Sequence, residues 1–101
     1  MVMTVVTSVV LREGEEPAWD EAMRDRLEAA RARPGWIAAQ ILIPLDAPDR
    51  RTIIGAWESR ADWEAWHTDD AFEATRERLE ELEAEPGEPI WYEVTVHLDR
   101  E

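Results

Sequence analysis

Residues 1–11 alternate with little charge on either side. Val2, Thr4, Val6, Ser8 and Val10 fall on one face of an extended chain, and Met3, Val5, Thr7, Val9 and Leu11 on the other. A period of two in a segment dense in β-branched residues predicts a strand. The run Arg12-Glu13-Gly14-Glu15-Glu16 is a polar turn, after which the period changes. Trp19, Ala22, Met23, Arg26, Leu27 and Ala30 recur at helical spacing. Pro17 suits a first helical turn, and Asp20 and Glu21 place negative charge where the helix dipole favours it. Pro34-Gly35 stops that helix. Residues 36–43 predict a second strand, apolar on both faces; 44–50 form a turn, and 51–58 a third strand completing a hairpin.

Ser59, followed three residues later by Asp62, is a capping-box-like helix start. Trp63, Trp66, Phe72, Leu79 and Leu82 then carry a helical pattern, which Thr68-Asp69-Asp70 divides into a short helix and a longer one. The tail from Glu80 to Glu85 is polar on most sides and predicts a solvent-facing helix end, closed by Pro86-Gly87. Over residues 90–98, Ile90, Tyr92, Val94, Val96 and Leu98 alternate with Trp91, Glu93, Thr95 and His97, which predicts a last strand. The order βαββαβ is that of a ferredoxin-like α+β fold, a four-stranded antiparallel sheet with helices on one face. With no repeat or linker along 101 residues, the expectation is a single domain over 1–101.

The first two strands are apolar at both parities, and Trp36, Trp57 and Trp91 stand on strands or at their starts. The sheet face turned away from the helices is therefore not expected to be polar, as a solvated face should be. A domain of this size buries only a modest share of its surface, so a homodimer packed across a two-fold axis is the expected cover. The alternative is a monomer with a large exposed apolar patch. Six Trp strengthen the case: each can bury roughly 150–250 Å², which asks for an interface or a lined pocket. A net charge of −13 and a pI near 4.4 argue against nucleic acid and anionic membrane surfaces as partners. All 11 basic residues are Arg. The absence of Cys excludes disulfides, thiolate nucleophiles and Cys-ligated metals. The longest apolar stretch, 36–45, is interrupted by Gln40 and Pro44 and is too short to span a bilayer. The N-terminus has no signal-peptide layout, so the expected location is cytoplasmic.

Four isolated glycines form no phosphate-cradling loop, and no Ser sits in a nucleophile elbow. His67, with Asp69 or Asp70 nearby, lacks a recurrent ligand spacing and reads as a surface residue. His97 reads as a plain edge residue, and a metal site is not expected. What remains is aromatic: Trp63, Trp66 and Phe72 from one helical face, with Met23 and Leu27 opposite. These either fill the core or line a pocket for a flat apolar ligand.

The stretch Trp57-Glu58-Ser59, followed by Ala61, Trp63 and Trp66, resembles the antibiotic biosynthesis monooxygenase family, as does Pro34-Gly35-Trp36 continuing through Gln40 to Pro44. The resemblance runs from the first strand through Tyr92-Glu93-Val94. It implies a dimeric α/β barrel with a pocket between helices and sheet in each subunit. The activities it implies are cofactor-independent oxygenation of polyketide anthrones and quinols, oxidative heme degradation, and an isomerase branch. The heme-degrading pattern asks for an Asn on the first strand, a Trp on the second helix and an axial His on the third; here Thr7, Trp66 and Thr75 stand there. Without the His, iron lacks its proximal ligand, so heme is not expected. Arg26 stands where that pattern places a basic residue facing an acidic substrate group, and reads equally well as a surface Arg paired with acids. For the cofactor-free branch Trp57 matches, while Ile53 and Trp63 replace an Asn and a Tyr. The resemblance thus implies a cofactor-independent monooxygenase using molecular oxygen on an aromatic polyketide or quinol-type substrate. Its pocket would be lined by Thr7, Met23, Arg26, Trp63, Trp66, Phe72 and Thr75. Trp66 would stack on the ligand, Arg26 bind an anionic edge and Thr7 supply a hydrogen bond; the proton acceptor is not identified. The departures at Thr7, Ile53 and Thr75 favour the alternative, a non-catalytic dimeric small-molecule-binding or accessory protein.

Overall fold

The computed structural model describes residues 2–100; Met1, counted above in the first strand, and Glu101 lie outside them. The elements are β1 (Met3–Leu11), α1 (Glu16–Ala30), β2 (Trp36–Leu42), β3 (Arg50–Trp57), α2 (Arg60–Trp66), α3 (Asp70–Glu80), β4 (Glu83–Glu85) and β5 (Ile90–Glu93). β1 lies inside the sheet, antiparallel to β3 from Met3 opposite Trp57 to Val10 opposite Arg50. β2 pairs β3 on the outside, and the other side of β1 is shared by β4 and β5. The sheet is antiparallel throughout, with four strand positions in the order β2-β3-β1-β4/β5.

That shared edge departs from the expected pattern twice. The stretch read as a solvent-facing helix tail leaves the helix at Glu80, and Glu83–Glu85 pairs with β1, with Leu82 and Glu83 half-buried. Conversely, the strand expected over 90–98 ends at Glu93; Val96 and Leu98 are exposed and His97 Nε2 lies 3.0 Å from Asp99 Oδ1. Pro86 and Pro89 explain the interruption between β4 and β5, since neither has an N–H for the ladder. Gly87 lets the chain cross closely over β1, where a Cβ would collide with the Ser8 carbonyl oxygen.

The helix boundaries follow local chemistry. Pro17 stands in the first turn of α1, and Trp19, Ala22, Met23 and Ala30 form its buried stripe. Beyond Ala30 the chain turns through Gly35, whose φ of +83° is open to glycine at no steric cost and whose Cα abuts Asp62. Asp62 belongs to the expected cap: its N–H donates to Ser59 Oγ at 3.2 Å, and Ser59 Oγ donates to Asp62 Oδ2 at 2.8 Å. Asp69 caps α3 by accepting from the Ala71 N–H at 2.9 Å, and the expected break falls between Trp66 and Asp70.

The register assigns the faces. Val5, Val9 and Leu11 turn toward the helices and are buried. Trp57 lies opposite Met3, Trp91 opposite Val5 and Trp36 opposite Trp57, so all three strand tryptophans share that side. This corrects the argument that counted them toward an apolar outer face. The outer face carries Val6, Val10, Leu42, Ile54, Ile90 and Tyr92 instead. It remains apolar, with Leu42, Ile90 and Tyr92 exposed by 41%, 55% and 50%.

Between helices and sheet the core has two parts. One gathers Val9, Leu11, Trp19, Ala22, Met23 and Leu79; the other gathers Val5, Ala30, Trp57, Trp66 and Phe72, with Trp36, Trp63 and Trp91 packed against it.

Candidate functional site

The layer between helices and sheet is hollow where the second part of the core meets Val9 and Met23 of the first. A cavity of about 340 Å³ opens between α1, α2, α3 and the inner face of the sheet, a size suited to a small organic ligand. Thr7, Met23, Arg26, Trp63, Trp66 and Phe72 line it, as do Trp57, His67 and Glu83. Trp66 and Phe72 meet edge to face at 5.7 Å, and Trp63 meets Trp91 in the same way at 4.5 Å. These pairs hold the walls apart while leaving aromatic surface toward the space, so the cluster is both core and lining.

Arg26 is the cation of the site. Its guanidinium carbon lies 4.0 Å from the centre of the Phe72 ring, and its Nε donates to Thr75 Oγ1 at 2.8 Å. Thr75 Oγ1 in turn donates to the Phe72 carbonyl at 2.9 Å. Thr75, expected in the lining, therefore stands behind Arg26. Among the described residues no carboxylate lies within 4.0 Å of Arg26, so the surface ion pair considered above does not form. Burial pushes its pKa down to about 10; Glu83 opposes that shift and Arg76 adds to it. It stays charged at neutral pH, with Glu80 and Glu73 joining Glu83 in favouring that charge from beyond ion-pair distance.

Two polar lining residues, His67 and Glu83, escaped the sequence reading. His67 is half-buried on the cavity wall, its ring 3.6 Å from that of Trp63 and 4.2 Å from that of Phe72, centre to centre. Burial lowers its pKa, the Trp63 carbonyl raises it, and Arg26 and Arg76 lower it further. The available signal was its place one turn after Trp63, which puts the two side chains on one helix face. Glu83 accepts a hydrogen bond from Trp19 Nε1 at 2.9 Å, and burial raises its pKa. Its position follows from β4, which no periodicity in Glu80–Glu85 betrays.

Chemically, the cavity offers an aromatic slot for a flat ring system, a positive charge at one wall, and neutral or acceptor groups at Thr7, His67 and Glu83. Among the described residues no cluster of three or more His, Asp or Glu side chains is placed to hold a metal, and no helix is long and apolar enough to cross a membrane.

The sequence model of the antibiotic biosynthesis monooxygenases matches residues 1–78, a span that holds every cavity residue named above except Glu83. Among solved structures, a Nitrosomonas europaea protein named for the same monooxygenases superposes with a TM-score of 0.88 at 22% identity, over 93% of this chain and 90% of the other. SnoaB, a cofactor-independent oxygenase from Streptomyces nogalater, superposes with a TM-score of 0.86 at 14% identity, over 96% of each chain. Rv0793 from Mycobacterium tuberculosis gives 0.86 at 13% identity, over 98% of this chain and 100% of the other. At these identities the likeness is one of fold. No curated protein sequence matches the chain.

Proposed function

The chain belongs to the antibiotic biosynthesis monooxygenase family, and from that membership we propose that it is a cofactor-independent monooxygenase acting on an aromatic polyketide or quinol-type substrate. The observation that carries this reading is a desolvated guanidinium with, among the described residues, no carboxylate within 4.0 Å, set in a cavity lined mostly by aromatic and aliphatic side chains. Such a site favours a ligand that is flat, apolar and negatively charged at one edge, as an ionised phenol or enol is. An electron-rich anion of this kind is itself the reductant of oxygen. A ring CH₂ becomes C=O, one atom of O₂ enters the product and the other leaves as water with the two hydrogens. The four electrons come from that carbon, so the balance closes on substrate and O₂ alone. The protein binds and orients the ring, stabilises the anion at Arg26 and excludes water with Trp63, Trp66 and Phe72. SnoaB, with the same fold, is described as cofactor-independent.

The reading includes a second copy of the chain over the outer sheet face, where Leu42, Ile54, Ile90 and Tyr92 form an apolar surface. Sedimentation at low concentration is expected to give a dimer, and Ile54→Asp a monomer. Oxygen uptake with 1,8-dihydroxyanthrone tests the activity, and accelerated formation of the anthraquinone is the expected result. Binding of that anthrone with uptake no faster than the protein-free rate overturns the oxygenase and leaves a binding protein.

A further inference from the structure

We propose that His67 is the proton acceptor of this site, its Nε2 taking the hydroxyl proton of a bound phenol or enol while Arg26 holds the resulting oxyanion; this rests on the substrate class given above. The geometry fixes the tautomer. His67 Nδ1 lies 2.8 Å from the Trp63 carbonyl oxygen, and a carbonyl only accepts, so Nδ1 carries the hydrogen and Nε2 carries the lone pair. That nitrogen has no hydrogen-bond partner among the described residues, yet it is not sealed away, since no buried side-chain nitrogen or oxygen is left unpaired. The ring lines the cavity and is held between Trp63 and Phe72, and Arg26 also lies against Phe72. Base and cation thus border one space.

The surrounding charges keep the imidazole neutral and ready. Arg26 from α1 and Arg76 from α3 disfavour a proton on it, as does burial. Glu83 reaches the same cavity from β4. Of the rival acceptors, Thr7 is not basic, and Glu83 has one oxygen committed to Trp19. A low-pKa imidazole is a weak base for a phenol, but Arg26 favours the oxyanion and so narrows the gap in acidity. In the step, the substrate O–H bond breaks and the Nε2–H bond forms. The electron pair and the negative charge stay on the oxygen, which Arg26 and the new imidazolium stabilise, and the Trp63 carbonyl in turn stabilises the imidazolium.

The test is anaerobic titration with 1,8-dihydroxyanthrone, which separates binding from ionisation. Quenching of tryptophan fluorescence reports binding, and the visible band of the anion reports proton loss. The bound probe is expected to ionise at lower pH than the free probe. In His67→Gln it should bind within about twofold of the parent while its anion fraction at neutral pH falls at least about tenfold. Added imidazole should restore the anion in His67→Ala, and Glu83→Gln should keep it. An anion fraction unchanged in His67→Gln, or lost instead in Glu83→Gln, overturns the assignment. A ¹⁵N spectrum of the ligand-free parent adds a reading that needs no variant: hydrogen on Nε2 overturns the assignment, hydrogen on Nδ1 supports it. Ionisation without oxygen uptake in air leaves His67 as the base and removes the oxygenase; no quenching at all removes the substrate class and this assignment together.

Discussion

The two ends of the layer between helices and sheet are built from the same elements to opposite purposes. Around Trp19 the space is filled: Trp19 and Ala22 are wholly buried, Leu79 and Leu11 nearly so, and the one polar atom of Trp19 is bonded to Glu83. Around Trp66 several aromatic rings meet at their edges and border a cavity. Two arginines repeat the contrast. Arg51, almost fully buried, clamps both oxygens of Asp20 at 2.8 and 3.1 Å and donates to the carbonyls of Pro48 and Arg50. Among the described residues Arg26 has a threonine and an aromatic face, with no carboxylate within 4.0 Å. A closely paired cation serves the architecture, whereas one without a close acid is what the proposed ligand requires.

The largest expected effect lies at the filled end. Trp19→Ala should lose about 3–5 kcal/mol in denaturant unfolding, the range for a buried Trp in a packed core. Trp63→Ala, on the cavity wall, should lose less than half as much. Equal losses would erase the distinction between the two ends. Next come the arginines. Arg51→Met should cost about 2 kcal/mol, leaving a partly exposed Asp20 unpaired. Arg26→Met should change stability by less than about 1 kcal/mol, because the variant removes a desolvated charge along with its single hydrogen bond. The same Arg26→Met protein should bind ionised 1,8-dihydroxyanthrone at least about tenfold more weakly by calorimetry, about 1.4 kcal/mol, and unsubstituted anthrone almost unchanged. The smallest effect concerns pH. The pKa of His67 in the fold lies below its ordinary value of about 6.5, so below that pH the unfolded chain binds the extra proton. Its share of stability is intact above pH 6.5 and lost as pH falls through that value toward the folded pKa. His67→Gln should therefore lose less stability than the parent between pH 7 and pH 5, compared by urea midpoints.

Much of the scaffold was legible because its signals are local. The cap at Ser59–Asp62, the turn at Gly35, the helix break at Asp69 and the alternation in β1 each depend on neighbours a few residues away. Six of the seven residues expected to line a pocket do border one cavity, and Thr75 supports it from behind. The edge of the sheet was misread for the same reason. Glu80 to Glu85 has the composition of a helix surface, and only pairing with β1 turns its last three residues into a strand. The alternation of 90–98 is real, but among the described residues β1 offers pairing only as far as Glu93.

The order of polar and apolar residues by itself determined the elements from β1 to α3, the antiparallel α+β plan and an apolar outer sheet face, since periodicity and capping act over single turns. Tertiary structure alone decided that all six tryptophans lie on the inner side, that Arg26 meets Thr75 and Phe72, and that His67 turns from surface to cavity wall. Charge state and hydrogen-bond supply depend on atoms brought together from distant parts of the chain, and no local pattern encodes which of them will meet.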